Sequence, residues 1–290
     1  MAQPGLFSVM LQDAVVRGYA VPAFNVYNLE SMTAALRAGA ATHAPIILAL
    51  GERYFDNMPP AVARALADAL LETRGPSNLP VALHLDHAAD PASCRTAIKA
   101  GFDSVMIDAS DRPLVENIRI VRDVVAEAHA HSVGVEAELG GLAVGEASHE
   151  FSSGTEALTD PDEARTFVAD TGVDALAVSV GTVHGMYKGE PHIDFDRLAA
   201  IRRVVAIPLV LHGGSGIPKP HLEAAMARGV AKINVNTEIS LVAVQRLRDE
   251  MSSHPRVHLA TLALAAVDAM ESTMTDYIER FHASERYAGS

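Results

Sequence analysis

The feature that most constrains this chain is an alternation repeated eight times. Short apolar runs at residues 21–26, 45–50, 81–88, 104–108, 134–140, 175–181, 208–211 and 231–237 are each followed by a helical pattern. Runs of this length that are apolar on both faces suit strands covered on both sides, the condition of a parallel sheet. Helices are expected at 28–43, 59–73, 91–100, 113–131, 161–170, 195–205, 218–228 and 239–250, with a leading helix at 6–17 and a closing one at 259–281. Pro91 opens its helix and Gly101 ends it, and Thr159 or Asp160 caps the helix that Pro161 begins. Eight strand–helix units in about 250 residues are the measure of a closed (β/α)8 barrel of the TIM type. An open doubly wound sheet would place a Gly-rich phosphate turn after its first strand, and none is present there. No linker or low-complexity stretch divides residues 1–290. The expectation is therefore one barrel domain with an extra N-terminal helix and C-terminal helices.

The chain has 290 residues, 49% of them hydrophobic, with a formal charge of -13 and one cysteine. The acidic balance argues against a nucleic-acid partner. No apolar run is long enough for a membrane span. The N-terminus lacks the basic start and cleavage site expected of a signal peptide. A single thiol, Cys94, rules out a disulfide framework and fits a cytoplasmic setting.

Barrels of this kind carry function where their strands end, and three strand ends share a histidine. The third strand, Val81-Ala82-Leu83-His84-Leu85-Asp86-His87-Ala88, runs apolar until it reaches an acid and an imidazole. The sixth leads to His184 and the seventh to His212. From the pattern alone, these histidines suit either a metal site or hydrogen-bonded structural positions. Three nitrogens with an open position suit catalytic zinc. His84 shares a face with Asp86 rather than with His87 and reads as a supporting residue. Asp86, Asp108, Glu136 and Glu138 add four acids to the same rim, and buried acids need partners or a task. Gly213-Gly214-Ser215-Gly216 after strand seven and Asn234-Val235-Asn236-Thr237 at the end of strand eight occupy the usual phosphate position of such barrels.

Taken in order, Leu83-His84-Leu85-Asp86-His87, Val135-Glu136-Ala137-Glu138-Leu139-Gly140, Gly181-Thr182-Val183-His184-Gly185 and His212-Gly213-Gly214-Ser215-Gly216 resemble the class II, metal-dependent ketose-bisphosphate aldolases. That family includes fructose- and tagatose-bisphosphate aldolases. The resemblance runs over residues 21–238. It implies Zn2+ on His87, His184 and His212, polarising the ketone of dihydroxyacetone phosphate and stabilising its enediolate. It further implies Asp86 as the acid serving the aldehyde-derived hydroxyl and Glu146 as the loop acid exchanging the C3 proton. Asp108 and Glu138 match acids at an alternative or outer metal position. Gly185, Gly213, Ser215, Asn234 and Thr237 match a phosphate site, with Asn25 and Lys188 as further substrate contacts. A monovalent cation (Na+ or K+) and a homodimer or homotetramer also follow from the family.

The chain departs from the family pattern in three places. The loop before Glu146 reads Gly141-Leu142-Ala143-Val144-Gly145. Gly51 stands where a substrate-contacting serine is usual. The turns after Pro255-Arg256 are almost wholly apolar.

Three other readings compete with cleavage of a ketose 1,6-bisphosphate. One is a sibling aldolase that joins dihydroxyacetone phosphate to a modified sugar acid or a sulfonated sugar phosphate. Another is a catalytically silent phosphosugar-binding protein. The third, a Schiff-base aldolase, needs a lysine at the barrel top. The only lysines are Lys99, Lys188, Lys219 and Lys232, and Lys232 reads as the start of strand eight, at the opposite end.

Overall fold

The computed structural model describes residues 5–74, 78–148 and 157–287. Its eight barrel strands are β1 (Val21–Asn25), β2 (Ile46–Gly51), β3 (Val81–Ala88), β4 (Ser104–Ile107), β5 (Gly134–Leu139), β6 (Ala175–Val178), β7 (Leu209–Leu211) and β8 (Val230–Val235). They close in the order β1-β8-β7-β6-β5-β4-β3-β2. Every pairing is parallel. The expected (β/α)8 barrel is therefore present. Nearly every strand residue is buried, which explains why these runs lack polar alternation.

Among the described residues, ten α-helices accompany the strands: α1 (Leu6–Arg17), α2 (Leu29–Thr42), α3 (Pro60–Arg74), α4 (Pro91–Lys99), α5 (Leu114–His129), α6 (Pro161–Thr171), α7 (Phe195–Val204), α8 (Lys219–Met226), α9 (Thr237–Ser253) and α10 (Leu259–Arg280). Their starts follow local chemistry. Asn28 Oδ1 accepts the Ser31 backbone N–H at 2.9 Å and Ser31 Oγ accepts the Asn28 backbone N–H at 3.2 Å, so both N–H groups are satisfied at the start of α2. Asp160 rather than Thr159 caps α6, accepting from the backbone N–H groups of Asp162 and Glu163. Thr159 instead donates to the Leu139 carbonyl and accepts from Ser179 N–H, joining β5 to the chain after β6. No helix among the described residues is long and apolar enough to cross a membrane.

The helix α1 closes the amino-terminal end of the barrel. Its Phe7 is fully buried and lies flat on the His84 imidazole, with ring centroids 5.5 Å apart and planes within 1°. Gly134 opens β5 without a side chain because a Cβ there would lie 2.7 Å from the Phe7 ring. At the other flank, α10 packs along α2 and α9, and Arg37 of α2 reaches Asp268 and Glu271 at 3.3 Å each.

Phe7→Ala is expected to lower the unfolding free energy by about 3–5 kcal/mol, the usual cost of emptying a buried aromatic site. Denaturant titration at unchanged slope measures it. A loss below about 1 kcal/mol would mean that the barrel floor does not depend on this ring.

Candidate metal centre and active site

Strict strand alternation would aim Asp86 and His87 to opposite sides of β3. The backbone evades this with a bulge. Across β3 and β4, His84 faces Ser104 and Leu85 faces Val105, but Ala88, not His87, faces Ile107. The additional residue is taken up at His87, whose φ of 104° lies in a region that non-glycine residues rarely occupy. Bulges re-aim side chains beside active sites. This one lets Asp86 stay in the barrel interior while His87 reaches the same centre.

The side chains of His87, Glu138, His184 and His212 converge so that one ligand atom from each lies within 4.8 Å of the others. His87 Nε2 is 2.8 Å from His212 Nδ1. The ring centroids of His184 lie 5.3 Å from His87 and 5.8 Å from His212. Glu138 is buried, and its Oε2 has no hydrogen-bond partner among the described residues. Three imidazole nitrogens and an orphaned carboxylate oxygen form a donor set that suits a zinc-type cation.

The electrostatics agree. Burial pushes Glu138 well above the usual carboxyl range, and the nearby Asp108 charge pushes it further. Burial alone would depress His87, but Asp86, the hydrogen bond and charge of Asp108, and Glu138 outweigh it and raise the imidazole to about 10.

Two histidines of the cluster have a carboxylate behind them. His87 Nδ1 meets Asp108 Oδ2 at 3.2 Å, and His212 Nε2 meets Glu136 Oε1 at 2.8 Å. Each carboxylate orients its ring and leaves the other nitrogen free to bind a metal. Asp108 thus stands behind His87 and outside the group of four. Burial would raise Asp108, but the hydrogen bond and charge of His87, followed by hydrogen bonds from Ser110, outweigh it and hold the carboxyl below the usual range. Glu136, expected at the rim, instead lies one layer deeper, beneath His212.

Beneath the cluster is a residue whose depth sequence reasoning misplaced. Lys232 is not at the far end of the barrel. It is the third residue of β8, fully buried, with Nζ 2.9 Å from Glu136 Oε2 and 2.7 Å from Asn234 Oδ1. Burial opposes charge on Glu136, but Lys232 and His212 more than offset that and keep it ionised. His84 lies beside this pair, donating or accepting at Ser104 Oγ over 2.8 Å. Burial and the Lys232 charge drive it down to about 3, so it is neutral. The supporting role read for His84 from sequence agrees with this placement.

Asp86 is 1% exposed and gripped from two sides. Asn25 Nδ2 donates to Oδ2 at 2.8 Å and Asn234 Nδ2 donates to Oδ1 at 2.9 Å. Asn25 and Asn234 were expected to contact substrate, and here their amides hold this carboxylate.

The turn after β7 is built around close approaches. Gly213 has φ of 70°, and a Cβ on it would lie 2.1 Å from the Val183 carbonyl. Tyr187 links the same two segments by donating to the Gly213 carbonyl at 3.1 Å and accepting from Val183 N–H at 3.3 Å. Ser215 and Thr237 are buried, and Ser215 Oγ accepts the Glu238 N–H of α9 at 3.4 Å; Gly185 is buried in the loop after β6 against the backbone of Gly145 and Glu146. Lys188 lies exposed farther along that loop.

Glu146 falls in a segment the sequence read as irregular. Residues 149–156 of that segment lie outside the described residues. The rest is ordered by pairing. Ala143–Val144 runs parallel to Val183–His184, and Gly145 N–H donates to the His184 carbonyl at 2.7 Å. The Glu146 side chain is exposed and stands apart from the group of four. A cavity of about 410 Å³ opens between these loops and β4, lined by Asp108, Ser110, Arg112, Glu138, Leu142 and His184.

A parallel barrel with a metal-type cluster at the carboxyl ends of its strands has the architecture of metal-assisted barrel enzymes. Residues 7–286 match the model of the class II fructose-bisphosphate aldolases, and the chain belongs to that family. Two solved structures are similar over almost their whole length. The YdjI aldolase from Escherichia coli K12 shares 29% identity at a TM-score of 0.86, covering 97% of this chain and 98% of that one. A putative fructose-1,6-bisphosphate aldolase from Coccidioides immitis shares 30% identity at a TM-score of 0.86, with 96% of each chain covered. The fold also matches a fructose-bisphosphate aldolase from Campylobacter jejuni, at 21% identity and a TM-score of 0.80 over 96% of this chain and 94% of that one.

Metal analysis after dialysis should separate the ligands from their supports. His212→Ala is expected to lose bound metal, whereas Asp108→Asn should retain it with affinity about 10–100-fold weaker. Wild-type metal content in His212→Ala would remove that residue from the ligand set.

Proposed function

We propose that this chain is a zinc-dependent aldehyde-lyase. It cleaves a ketose 1,6-bisphosphate, fructose or tagatose, to dihydroxyacetone phosphate and glyceraldehyde 3-phosphate. The observation that carries this reading is the convergence of His87, Glu138, His184 and His212 beside the doubly clamped Asp86. Family membership supports it.

In this reading His87, His184 and His212 hold the zinc, with Glu138 as the neighbouring acid. Bound there, zinc supplies Lewis acidity at the substrate ketone. Asp86 takes the proton from the C4 hydroxyl as the C3–C4 bond breaks. The bonding electrons pass to C3 and are shared with the C2 carbonyl, and the aldehyde formed at C4 leaves. Glu146 then returns a proton to C3 from the loop beside His184. The turn at Gly213 and Ser215, the start of α9 at Thr237, and Gly185 receive the C1 phosphate through backbone N–H groups. Lys188 is a further contact on the same side.

A second reading is favoured by one observation. Above Asp86 and His87 lies a notch of about 20 Å³ bordered by Asn25, Gly51, Arg53 and Tyr54. Gly51 leaves room that the Tyr54 ring takes: a Cβ there would sit 3.3 Å from it. A different surface beside Asp86 suits a different aldehyde, so the sibling reaction of dihydroxyacetone phosphate with a modified sugar acid or a sulfonated sugar phosphate stays in view.

Purified protein given fructose 1,6-bisphosphate and tagatose 1,6-bisphosphate in parallel, with and without a chelator, should release dihydroxyacetone phosphate only in the chelator-free samples. Inertness of the zinc-loaded protein toward both would exclude the bisphosphate reading. Asp86→Ala is expected to keep its metal and lose cleavage by about 10²-fold or more; full turnover would remove Asp86 from its role.

A further inference from the structure

We infer that Lys232 is a positioning residue: a single buried ammonium that orients both the metal ligand His212 and the acid Asp86. Its aldolase half rests on the function proposed above; its metal half does not.

The inference follows from what an ammonium can do. It has three N–H donors and no acceptor. Lys232 Nζ points one way to Glu136, at 3.1 Å from Oε1 and 2.9 Å from Oε2, and the other way to Asn234 Oδ1 at 2.7 Å. All three side chains are buried. Each contact fixes a polarity downstream.

On the first arm, a cation against Glu136 keeps it a pure acceptor. His212 must then present an N–H from Nε2, 2.8 Å from Glu136 Oε1. The lone pair is left on Nδ1, the nitrogen that faces His87. On the second arm, Asn234 must turn its oxygen to the ammonium. Its N–H₂ is thereby aimed at Asp86 Oδ1, 2.9 Å away. A reversed amide would set oxygen against the Asp86 carboxylate and N–H against the ammonium. One charge thus selects both the tautomer of a ligand and the orientation of the amide that holds Asp86.

Lys232→Met alone leaves Glu136 buried without its counter-charge and is liable to unfold. The test therefore uses the paired variant Lys232→Met/Glu136→Gln, which removes both charges together, and separately Asn234→Asp. Zinc dissociation constants come from chelator competition on the full chain, with a thermal melt as the control for folding. Turnover and KM come from fructose 1,6-bisphosphate cleavage.

The paired variant is expected to melt cooperatively and to bind zinc about 10–100-fold more weakly. Asn234→Asp keeps an oxygen for Lys232 but turns another toward Asp86. It should hold zinc within about twofold of wild type, with kcat reduced at least about tenfold and KM little changed. Wild-type zinc affinity in a folded paired variant would overturn the inference. So would normal kcat in Asn234→Asp, which decides the matter if the paired variant does not fold. Failure of the wild-type protein to cleave the substrate would count against the proposed reaction and leave the zinc constants to decide this inference.

Discussion

The interior of this barrel is arranged around an ion pair that cannot be left half-made. Breaking a buried pair by removing one partner typically costs about 3–5 kcal/mol, because the survivor keeps its charge without water. Lys232 and Glu136 are both fully buried, so each is committed to the other. The residues around them conform to that commitment. His84 is neutral, Asn234 turns its oxygen inward, and Phe7 seals the floor against solvent. Barrel interiors are more often filled by branched apolar side chains in layers. Here a polar layer replaces one of them, directly below the convergent histidines.

Above that layer the chain bends its own rules to assemble the centre. The bulge in β3 and the positive φ of His87 are locally unfavourable. They persist because β3 keeps an unbroken register with β2 through Asp86, because its pairing with β4 resumes at Ala88, and because His87 is held by Asp108. The result is a concentration of negative charge around one imidazole.

Much of this was legible in the sequence, and the reasons are local. The strands read clearly because residues covered on both faces must be apolar, and the helix starts at Asn28, Pro91 and Asp160 have short-range chemistry. His87, His184 and His212 stood out because each follows an apolar run, which is how a rim ligand looks in one dimension. What stayed hidden depends on depth or register. Whether Lys232 sits at a strand's mouth or a third of the way inside turns on the β7–β8 register, which no local pattern reports. Glu136 and Glu138 share a face, yet one is a layer below the other. The bulge at His87 leaves no mark on composition. Asp108 matched an acid at an alternative or outer metal position only through the family resemblance, and its place behind His87 is visible only as a distance. Tyr187 and Tyr54 had no signal beyond their nearness to motifs.

The pairing of residues 143–146 with 183–186 has a mechanical meaning. Gly145 N–H, Glu146 N–H and Met186 N–H all bond across this seam, at 2.7–2.9 Å. His184 is one edge of it and Glu146 the other. A loop anchored in this way does not swing as an independent arm. Any excursion of Glu146 either breaks these rungs or drags the His184 backbone with it. The backbone that carries Glu146 and the backbone that carries His184 are therefore mechanically one piece.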